Sequence, residues 1–302
     1  PANTKLTLAA GGIFRSDDKG ETWKHLNSLC PRPFYYGQIR VDPSDDRRIY
    51  VLGIQFHQSN DGGKTFLKGN SARNTHSDYH ALWIDPKNSR NLVLGCDGGL
   101  NYSFDRANTW EHLKNLPISQ FYAVTADTRT PYRVYGGLQD NGSWGGPSAT
   151  DDSAGISTAD WTNILGFDGY YCQVDPDDPG IVFAEGQYGI LRRINLRTWE
   201  SAPIKPVLTE KGTKTNVLPA GKAMPPAFRF NWSSPILLSK TKGKPLYFGG
   251  NFLFRSDDRG QSWTIISPDL TRGKPGVSAY SGHTITTLAE AKAPGLIYAG
   301  TD

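Results

Sequence analysis

Short stretches of alternating apolar and polar residues recur along the chain, and each runs into a turn that carries an acidic residue. Four of them end at Asp42, Asp85, Asp127 and Asp175, which lie 42 to 48 residues apart. A second apolar stretch that runs into small residues follows each turn, at 49–53, 92–95, 134–137 and 181–184. Period-two alternation between turn signals is typical of strands, so each repeat is predicted to begin with an antiparallel pair. Two degenerate pairs, with second strands at 246–249 and 297–300, bring the predicted pairs to six.

A second repeat has the pattern Ser-x-Asp-x-Gly-x-Thr-Trp, with copies at 16–23, 59–66 and 256–263 and a weaker copy at 103–110. In a tight hairpin the Asp accepts backbone N–H groups, the Gly supplies a positive φ and the hydroxyls fix the flanks. The final aromatic residue is expected to pack between neighbouring sheets. The predicted structural positions are Asp18, Gly20, Trp23, Asp61, Gly63, Phe66, Asp105, Trp110, Asp258, Gly260 and Trp263.

A strand-rich repeat of about 40–50 residues is the signature of a β-propeller. The sequence therefore predicts an all-β fold, a single β-propeller domain over 1–302 of about six to seven four-stranded blades. Insertions are expected at about 142–159 and 203–227, the second as a long surface loop rich in Pro, Lys and Gly. Residues 6–10 align with 246–250, so the chain begins and ends at the second strand of a blade. We favour a segment of a larger ring over a closed ring of about six blades.

Composition and charge exclude several functions. The chain has 33 Gly and 20 Pro in 302 residues and a net charge of only +4, with scattered Lys and Arg, so nucleic-acid binding is not expected. No apolar stretch approaches the roughly 18 residues of a membrane span. Cys30, Cys96 and Cys172 lack metal-ligand spacing, and three buried thiols are favoured over one disulfide and a free thiol. No metal or other cofactor is expected.

In a propeller the Asp turns and the Ser-x-Asp hairpins share one face, which is predicted to be scaffold. The opposite face collects residues that enter first strands or leave second strands, where aromatic, amide and carboxylate groups suit a glycan or an extended peptide. The predicted ligand-binding residues are Tyr36, Gln38, His80, Asp97, Gln139, Asn141, Trp144, Tyr170, Asn231 and Trp232. The alternative is that these side chains fill the central funnel without a ligand, that each Asp caps a local turn, and that His80 and His283 are structural.

The hairpin motif is identified as the Asp-box, or BNR repeat, of sialidases, xyloglucanase-type glycoside hydrolases, the sortilin (Vps10) luminal domain and a photosystem assembly factor. Over nearly its full length the chain resembles bacterial sortilin-like "glycosyl hydrolase BNR repeat" proteins. The segments that carry the likeness are 36–43, 80–86, 135–142, 254–256 and 266–270. The resemblance implies an extracellular or periplasmic protein, and because the relatives are longer, the rest of a longer chain or a larger assembly is an expected partner.

Two functions follow. The favoured one is a binding module for a glycan or a polypeptide. The alternative is an inverting glycoside hydrolase of xyloglucanase-like type that uses Asp140 and Asp168 as its carboxylate pair. A sialidase is not favoured, since the 228–230 segment does not match that family's Phe/Tyr-Arg-Ile-Pro motif and no arginine cluster is expected on this face. No segment flanking the candidate Asp residues matches the catalytic loops of xyloglucanases.

Overall fold

The structure is a computed structural model that describes residues 11–32, 35–69, 71–114, 116, 118–207, 217–218, 228–273, 282–293 and 295–302. The predicted 6–10 strand and most of the 203–227 insertion lie outside these residues. The chain forms two compact units, Pro1–Leu116 and Pro117–Asp302, called unit 1 and unit 2 below.

The described part of unit 1 consists of three antiparallel sheets in chain order, β1–β2, β3–β5 and β6–β9. The strands are β1 (Ile13–Arg15), β2 (Lys24–Asn27), β3 (Gln38–Asp42), β4 (Asp45–Leu52), β5 (His57–Ser59), β6 (Tyr79–Ile84), β7 (Leu92–Cys96), β8 (Gly99–Ser103) and β9 (Glu111–His112). The last four residues of β4 are all buried, as expected for a short continuous apolar run. On either side of this strand they contribute to two cores, one around Ile13 and one around Phe56 and Tyr79.

The described part of unit 2 consists of four sheets, β10–β13, β14–β17, β18–β22 and β23–β24. The strands are β10 (Phe121–Ala126), β11 (Arg133–Leu138), β12 (Gly142–Pro147), β13 (Thr162–Leu165), β14 (Gly169–Val174), β15 (Ile181–Gly186), β16 (Ile190–Asn195), β17 (Ser201–Pro203), β18 (Val217–Leu218), β19 (Ile236–Leu238), β20 (Leu246–Gly249), β21 (Leu253–Ser256), β22 (Trp263–Ile265), β23 (Ile285–Glu290) and β24 (Ile297–Thr301). Two 3₁₀ turns, Thr158–Asp160 and Gln187–Gly189, complete the described elements, and neither is long or apolar enough to cross a bilayer.

The prediction of an all-β fold is confirmed, and all six predicted strand pairs are antiparallel pairs in the structure. Each sheet is a meander of neighbouring strands, apart from β18, which pairs with β22 in parallel. Such meanders place the start of every first strand and the end of every second strand at the same edge of their sheet.

Three details differ from the predictions. Gly142–Pro147, placed in an insertion by its Gly and Ser content, form β12. Ile204 and Val217 of the second insertion are buried, because they cover the Trp263 side of the β18–β22 sheet in place of a surface loop. The cysteines are all free thiols, but only Cys172 is buried and Cys30 is exposed.

Candidate functional site

The Ser-x-Asp hairpins repeat one hydrogen-bond pattern. The Asp61 carboxylate accepts the Thr65 N–H at 2.9 Å and the Thr65 hydroxyl at 2.6 Å, while Ser59 Oγ accepts the Gly63 N–H at 2.9 Å. Equivalent bonds surround Asp18, Asp105 and Asp258. The turn residue has a positive φ of 66° to 99° at Gly20, Gly63, Ala107 and Gly260. Each carboxylate is thus hydrogen-bonded within its own hairpin, so candidate ligand-binding groups are sought among other residues.

The aromatic residues that end these hairpins lie in different surroundings. Trp263 is fully buried and its Nε1 donates to Ile204 O at 2.7 Å, and Trp110 is also buried. Phe66 packs, half-buried, against the core around Ile13. Trp23 contradicts the prediction that the ring packs between sheets: it is 63% exposed, and its Nε1 donates back to its own turn. A hairpin aromatic is buried only where another segment covers it, which the motif itself does not encode.

Six residues of unit 2 meet near the ends of β11 and β15 and the starts of β10 and β14. This group, called the unit-2 cluster, comprises Tyr122, Gln139, Asp140, Asp168, Tyr170 and Gln187. The rings of Tyr122 and Tyr170 are stacked, with centroids 5.0 Å apart and planes 12° apart. Tyr122 is 52% exposed and donates its hydroxyl hydrogen to Gln139 Oε1, whereas Tyr170 is buried beneath it. The outer tyrosine therefore presents a flat apolar face beside amide and carboxylate groups.

Asp168 organises the polar side of the unit-2 cluster. Its carboxylate accepts the Asp140 N–H at 2.7 Å and Gln187 Nε2 at 2.9 Å, and its own N–H donates to Gln187 Oε1 at 2.9 Å. Asp168 is buried, while Asp140 is half-buried and has a φ of 58°. The structure thus brings the two predicted carboxylates to one place, with the buried member holding the backbone of the other.

Burial raises the pKa of the Tyr122 and Tyr170 hydroxyls, and the nearby Asp168 and Asp140 carboxylates add to both shifts. Both phenols therefore stay protonated and serve as hydrogen-bond donors at ordinary pH. The Tyr170 hydroxyl is buried and has no hydrogen-bond partner among the described residues.

The other predicted residues of unit 2 lie on adjoining turns. Trp144 Nε1 donates to Asn141 O at 2.6 Å and Asn141 Nδ2 donates to Gln139 O at 2.9 Å, which fixes the β11–β12 turn. Trp232 meets Tyr188 edge to face at 4.9 Å, and Trp232 O accepts the Tyr188 N–H at 3.3 Å. Tyr188 of this aromatic pair directly follows Gln187 of the unit-2 cluster.

Two ionisable residues near the aromatic pair, fully buried Glu185 and half-buried Lys205, were not predicted as site residues. Glu185 is fully buried on β15, and its Oε1 accepts the Ser234 N–H at 2.9 Å. Lys205, from the second insertion, donates from Nζ to Tyr188 O at 2.7 Å. Burial raises the pKa of the Glu185 carboxyl and lowers the pKa of the Lys205 ammonium, and the opposite charge of each partner acts against these shifts. A Glu within an otherwise apolar strand was the only sequence signal for this pair.

A second missed group surrounds Arg229. Its Nη2 donates to Asp269 Oδ2 at 3.0 Å and to Thr271 Oγ1 at 2.8 Å, and Asn251 Nδ2 donates to the same Asp269 oxygen at 2.8 Å. The neighbouring Asn231 binds elsewhere, donating to Thr284 Oγ1 at 2.7 Å. Because these partners are 18 to 53 residues apart in sequence, only folding brings them together.

Three predicted residues of unit 1, Tyr36, His80 and Asp97, form a group with Arg32 and Asp78, which are not among the predicted ligand-binding residues. This group is called the unit-1 cluster. Tyr36 donates its hydroxyl hydrogen to Asp78, and its ring packs on the His80 ring at 4.3 Å with the planes tilted by 37°. His80 Nε2 lies 2.7 Å from Asp97 Oδ1. The Arg32 guanidinium lies 4.2 Å from the centroid of the Tyr36 ring and 3.7 Å from Asp78. Gln38 lies on β3 beyond this group, with a buried Oε1 that has no hydrogen-bond partner among the described residues.

Left-handed backbone recurs where these clusters lie. Tyr35, Asp78, Phe167 and His283 have φ values of 62° to 75° and stand one to three residues before the first strands β3, β6, β14 and β23. Asp140 and Tyr188, each with a φ of 58°, follow the second strands β11 and β15. Such backbone is uncommon outside Gly and concentrates at functional sites, which directs attention to this edge of the sheets.

The donor set of the clusters is aromatic, amide and carboxylate. Within the described ranges, no three or more His, Cys, Asp or Glu side chains are grouped so as to hold a metal ion. Stacking on a ring face and hydrogen bonding to hydroxyl groups are the interactions that these residues offer a ligand.

No family model matches the chain. It is similar to Xyloglucanase Xgh74A of Acetivibrio thermocellus, with 30% identity over 132 aligned residues that cover 35% of this chain. The alignment spans only 15% of the length of that relative.

Among solved structures, the GH74 xyloglucanase from Xanthomonas campestris is similar with a TM-score of 0.33 and 18% identity, over 86% of this chain and 43% of that chain. The extracellular domain of BT4673 from B. thetaiotaomicron is similar with a TM-score of 0.39 and 16% identity, over 88% of this chain and 30% of that chain.

Proposed function

We propose that the chain is a glycan-binding module of an extracellular or periplasmic protein and that the unit-2 cluster is its principal sugar site. The supporting observation is the half-exposed face of Tyr122, stacked on buried Tyr170 and bordered by Gln139 and Asp140. A sugar ring has apolar C–H faces and polar edges, so it can stack on such a face while its hydroxyls bond to the amide and carboxylate groups. The similarity to a protein named xyloglucanase makes xyloglucan the first ligand to test.

The proposed architecture is a β-propeller of about six to seven blades with Asp-box hairpins. Its support is the succession of antiparallel meanders in chain order and the recurrent hairpin hydrogen bonds. In such a ring the edge that carries the clusters would be the ligand face and the hairpins the scaffold face.

Replacing Tyr122 tests the sugar site. We expect Tyr122→Ala to weaken binding of a xyloglucan oligosaccharide about tenfold, or about 1.4 kcal/mol, through loss of the stacking face. The measurement is isothermal titration calorimetry. Tyr132→Ala is the matched control: Tyr132 is 50% exposed and directly precedes β11, at the end of that strand away from the unit-2 cluster. Wild-type affinity in Tyr122→Ala would contradict the proposal, as would capture of peptides but of no glycan by the wild-type chain.

A hydrolase is the second candidate, favoured by the direct contact between the predicted carboxylate residues. An inverting enzyme needs two carboxyl groups about 6.5–9.5 Å apart, with room for a water between them. In this hypothesis Asp140, the less buried residue, contacts the substrate or water, and Asp168 is the second carboxylate. Asp140→Asn and Asp168→Asn should then each abolish release of reducing sugar from xyloglucan, whereas Asp151→Asn, an exposed loop change, should not. Absence of hydrolysis by the wild-type chain, or full activity in Asp140→Asn, would exclude this role.

A further inference from the structure

The aromatic pair Tyr188–Trp232 lies on two separate turns, and each turn is anchored by one ionisable side chain, half-buried Lys205 for the first and fully buried Glu185 for the second. Lys205 Nζ donates to Tyr188 O at 2.7 Å and lies 4.7 Å from the centroid of the Phe230 ring. Glu185 Oε1 accepts the Ser234 N–H at 2.9 Å, two residues beyond Trp232. The two anchors act on each other electrostatically: a positive charge at Lys205 lowers the pKa of the Glu185 carboxyl, and a negative charge at Glu185 raises the pKa of the Lys205 ammonium.

The Gln187–Gly189 turn that Lys205 anchors has a backbone conformation that its own residues do not favour. Tyr188 has a φ of 58° in a three-residue 3₁₀ turn, a conformation that costs a non-glycine residue roughly 1 kcal/mol or more. The next residue, Gly189, packs so closely on Phe230 that a Cβ there would lie 2.6 Å from the ring. Contacts from outside the turn therefore have to fix it, and the Lys205 hydrogen bond reaches its central carbonyl.

The turn that Glu185 anchors is fixed by hydrogen bonds to Ser234. Ser234 is fully buried, and its Oγ donates to Asn231 O at 3.3 Å, which closes the 231–234 segment around Trp232. The second Glu185 oxygen is buried without a hydrogen-bond partner among the described residues. Burial disfavours the ionised form of Glu185, and a positive charge at Lys205 acts against this effect.

We propose that Lys205 and Glu185 are positioning residues that together fix the Tyr188–Trp232 pair as the second aromatic surface of the sugar site. The role in ligand binding rests on the proposed glycan-binding function. The effect of Lys205 and Glu185 on the geometry of the aromatic pair does not depend on it. This positioning gives the 203–227 insertion a role: the insertion delivers the lysine that connects the β15–β16 turn to the segment before β19.

The geometry is tested without a ligand by fluorine NMR of the full chain labelled with 5-fluorotryptophan. Trp232→Phe identifies the Trp232 resonance among the 8 tryptophans. Lys205→Met keeps the apolar stem but removes the donor and the charge, and we expect it to shift or broaden the Trp232 resonance. Lys205→Arg, which still donates, should restore the wild-type position. Lys292→Met, an exposed lysine of the same unit, is the control and should change nothing.

Lys205→Met leaves Glu185 buried without its compensating charge, so the variant could unfold. Glu185→Gln/Lys205→Met removes both charges, and the amide oxygen at 185 can still accept the Ser234 N–H. We expect this double variant to fold and to show the same shift of the Trp232 resonance, since the Tyr188 carbonyl still lacks its donor. A Trp232 resonance unmoved in a folded Lys205 variant overturns the inference.

The ligand arm measures calorimetric affinity for a xyloglucan oligosaccharide. We expect about a tenfold loss in Lys205→Met or the double variant and near-normal affinity in Lys205→Arg. A wild-type affinity in the folded Lys205→Met or double variant overturns the role in binding. If the wild-type chain binds no glycan, the proposed function fails, and the fluorine spectra still decide whether Lys205 positions Trp232.

Discussion

Trp23 and Trp263 occupy the same position of the same hairpin motif but make very different contributions to stability. Trp263 is fully buried and hydrogen-bonded to Ile204, whereas Trp23 is 63% exposed. We expect Trp263→Ala to lower the free energy of unfolding of its unit by about 3–5 kcal/mol, and Trp23→Ala by less than about 1 kcal/mol. Urea unfolding monitored by circular dichroism measures both, and equal losses would contradict the difference in burial.

Gly137 shows how tightly the unit-2 cluster is built against the neighbouring strand. A Cβ at Gly137 would overlap the backbone of Gly169 and Tyr170, which cannot move without displacing the cluster. We therefore expect Gly137→Ala to destabilise unit 2 by about 1–3 kcal/mol and to impair ligand binding. Gly166→Ala is the control, because a Cβ there meets nothing within 4 Å. Thermal unfolding measures the stability of both variants, and titration calorimetry measures their affinity for the ligand. Wild-type stability in Gly137→Ala would contradict the close approach of Gly137 to the Gly169–Tyr170 backbone.

At the scale of elements, the Ser-x-Asp hairpins make stability depend on acid pH. Hydrogen bonds from the Thr65 side chain and backbone lower the pKa of Asp61 from the ordinary 3.8 to about 2. A carboxyl whose pKa is lower in the folded state stabilises the fold fully above pH 3.8 and loses this contribution as the pH falls toward 2. Asp61→Asn should therefore show a smaller fall in melting temperature between pH 4 and pH 2 than the wild type.

The control for this pH dependence is Glu111→Gln, an exposed carboxylate on β9 outside the hairpins. Its melting temperature should follow the wild-type curve over the same range. Identical slopes for Asp61→Asn and the wild type would show that the hairpin carboxylate does not contribute.

The hairpins were predictable because the Ser, Asp, Gly and Thr positions of the motif bond to one another within four places along the chain. The six strand pairs were predictable for a similar reason, since alternation and turn residues are local signals. The position of Lys205 was not, because its segment has the Pro, Lys and Gly content of a loop and its partners Tyr188 and Glu185 lie 17 and 20 residues earlier. The same holds for Trp263, whose cover, Ile204, is 59 residues away.

At the scale of the whole molecule, the chain separates into two compact units that meet in sequence at residues 116 and 117. The flanking residues Leu116 and Ile118 are 41% and 79% exposed, and thermolysin-type proteases cleave before large apolar residues such as Ile118. We expect limited thermolysis to yield products that begin or end between residues 114 and 118, identified by mass spectrometry. A digest without such products would argue that the chain unfolds as one unit, as the predicted single domain would.

The left-handed residues before the first strands have a practical meaning for anyone who alters the specificity of this protein. At Tyr35, Asp78, Phe167 and His283 the fold holds the backbone at a positive φ, so a replacement residue has to adopt that conformation. Gly, Asn and Asp tolerate a positive φ and should be accepted at these four positions, whereas the β-branched residues Val, Ile and Thr should destabilise the fold there. A combinatorial library for new ligands should therefore vary the residues on either side of these four positions. At the four positions themselves it should allow only a few residue types.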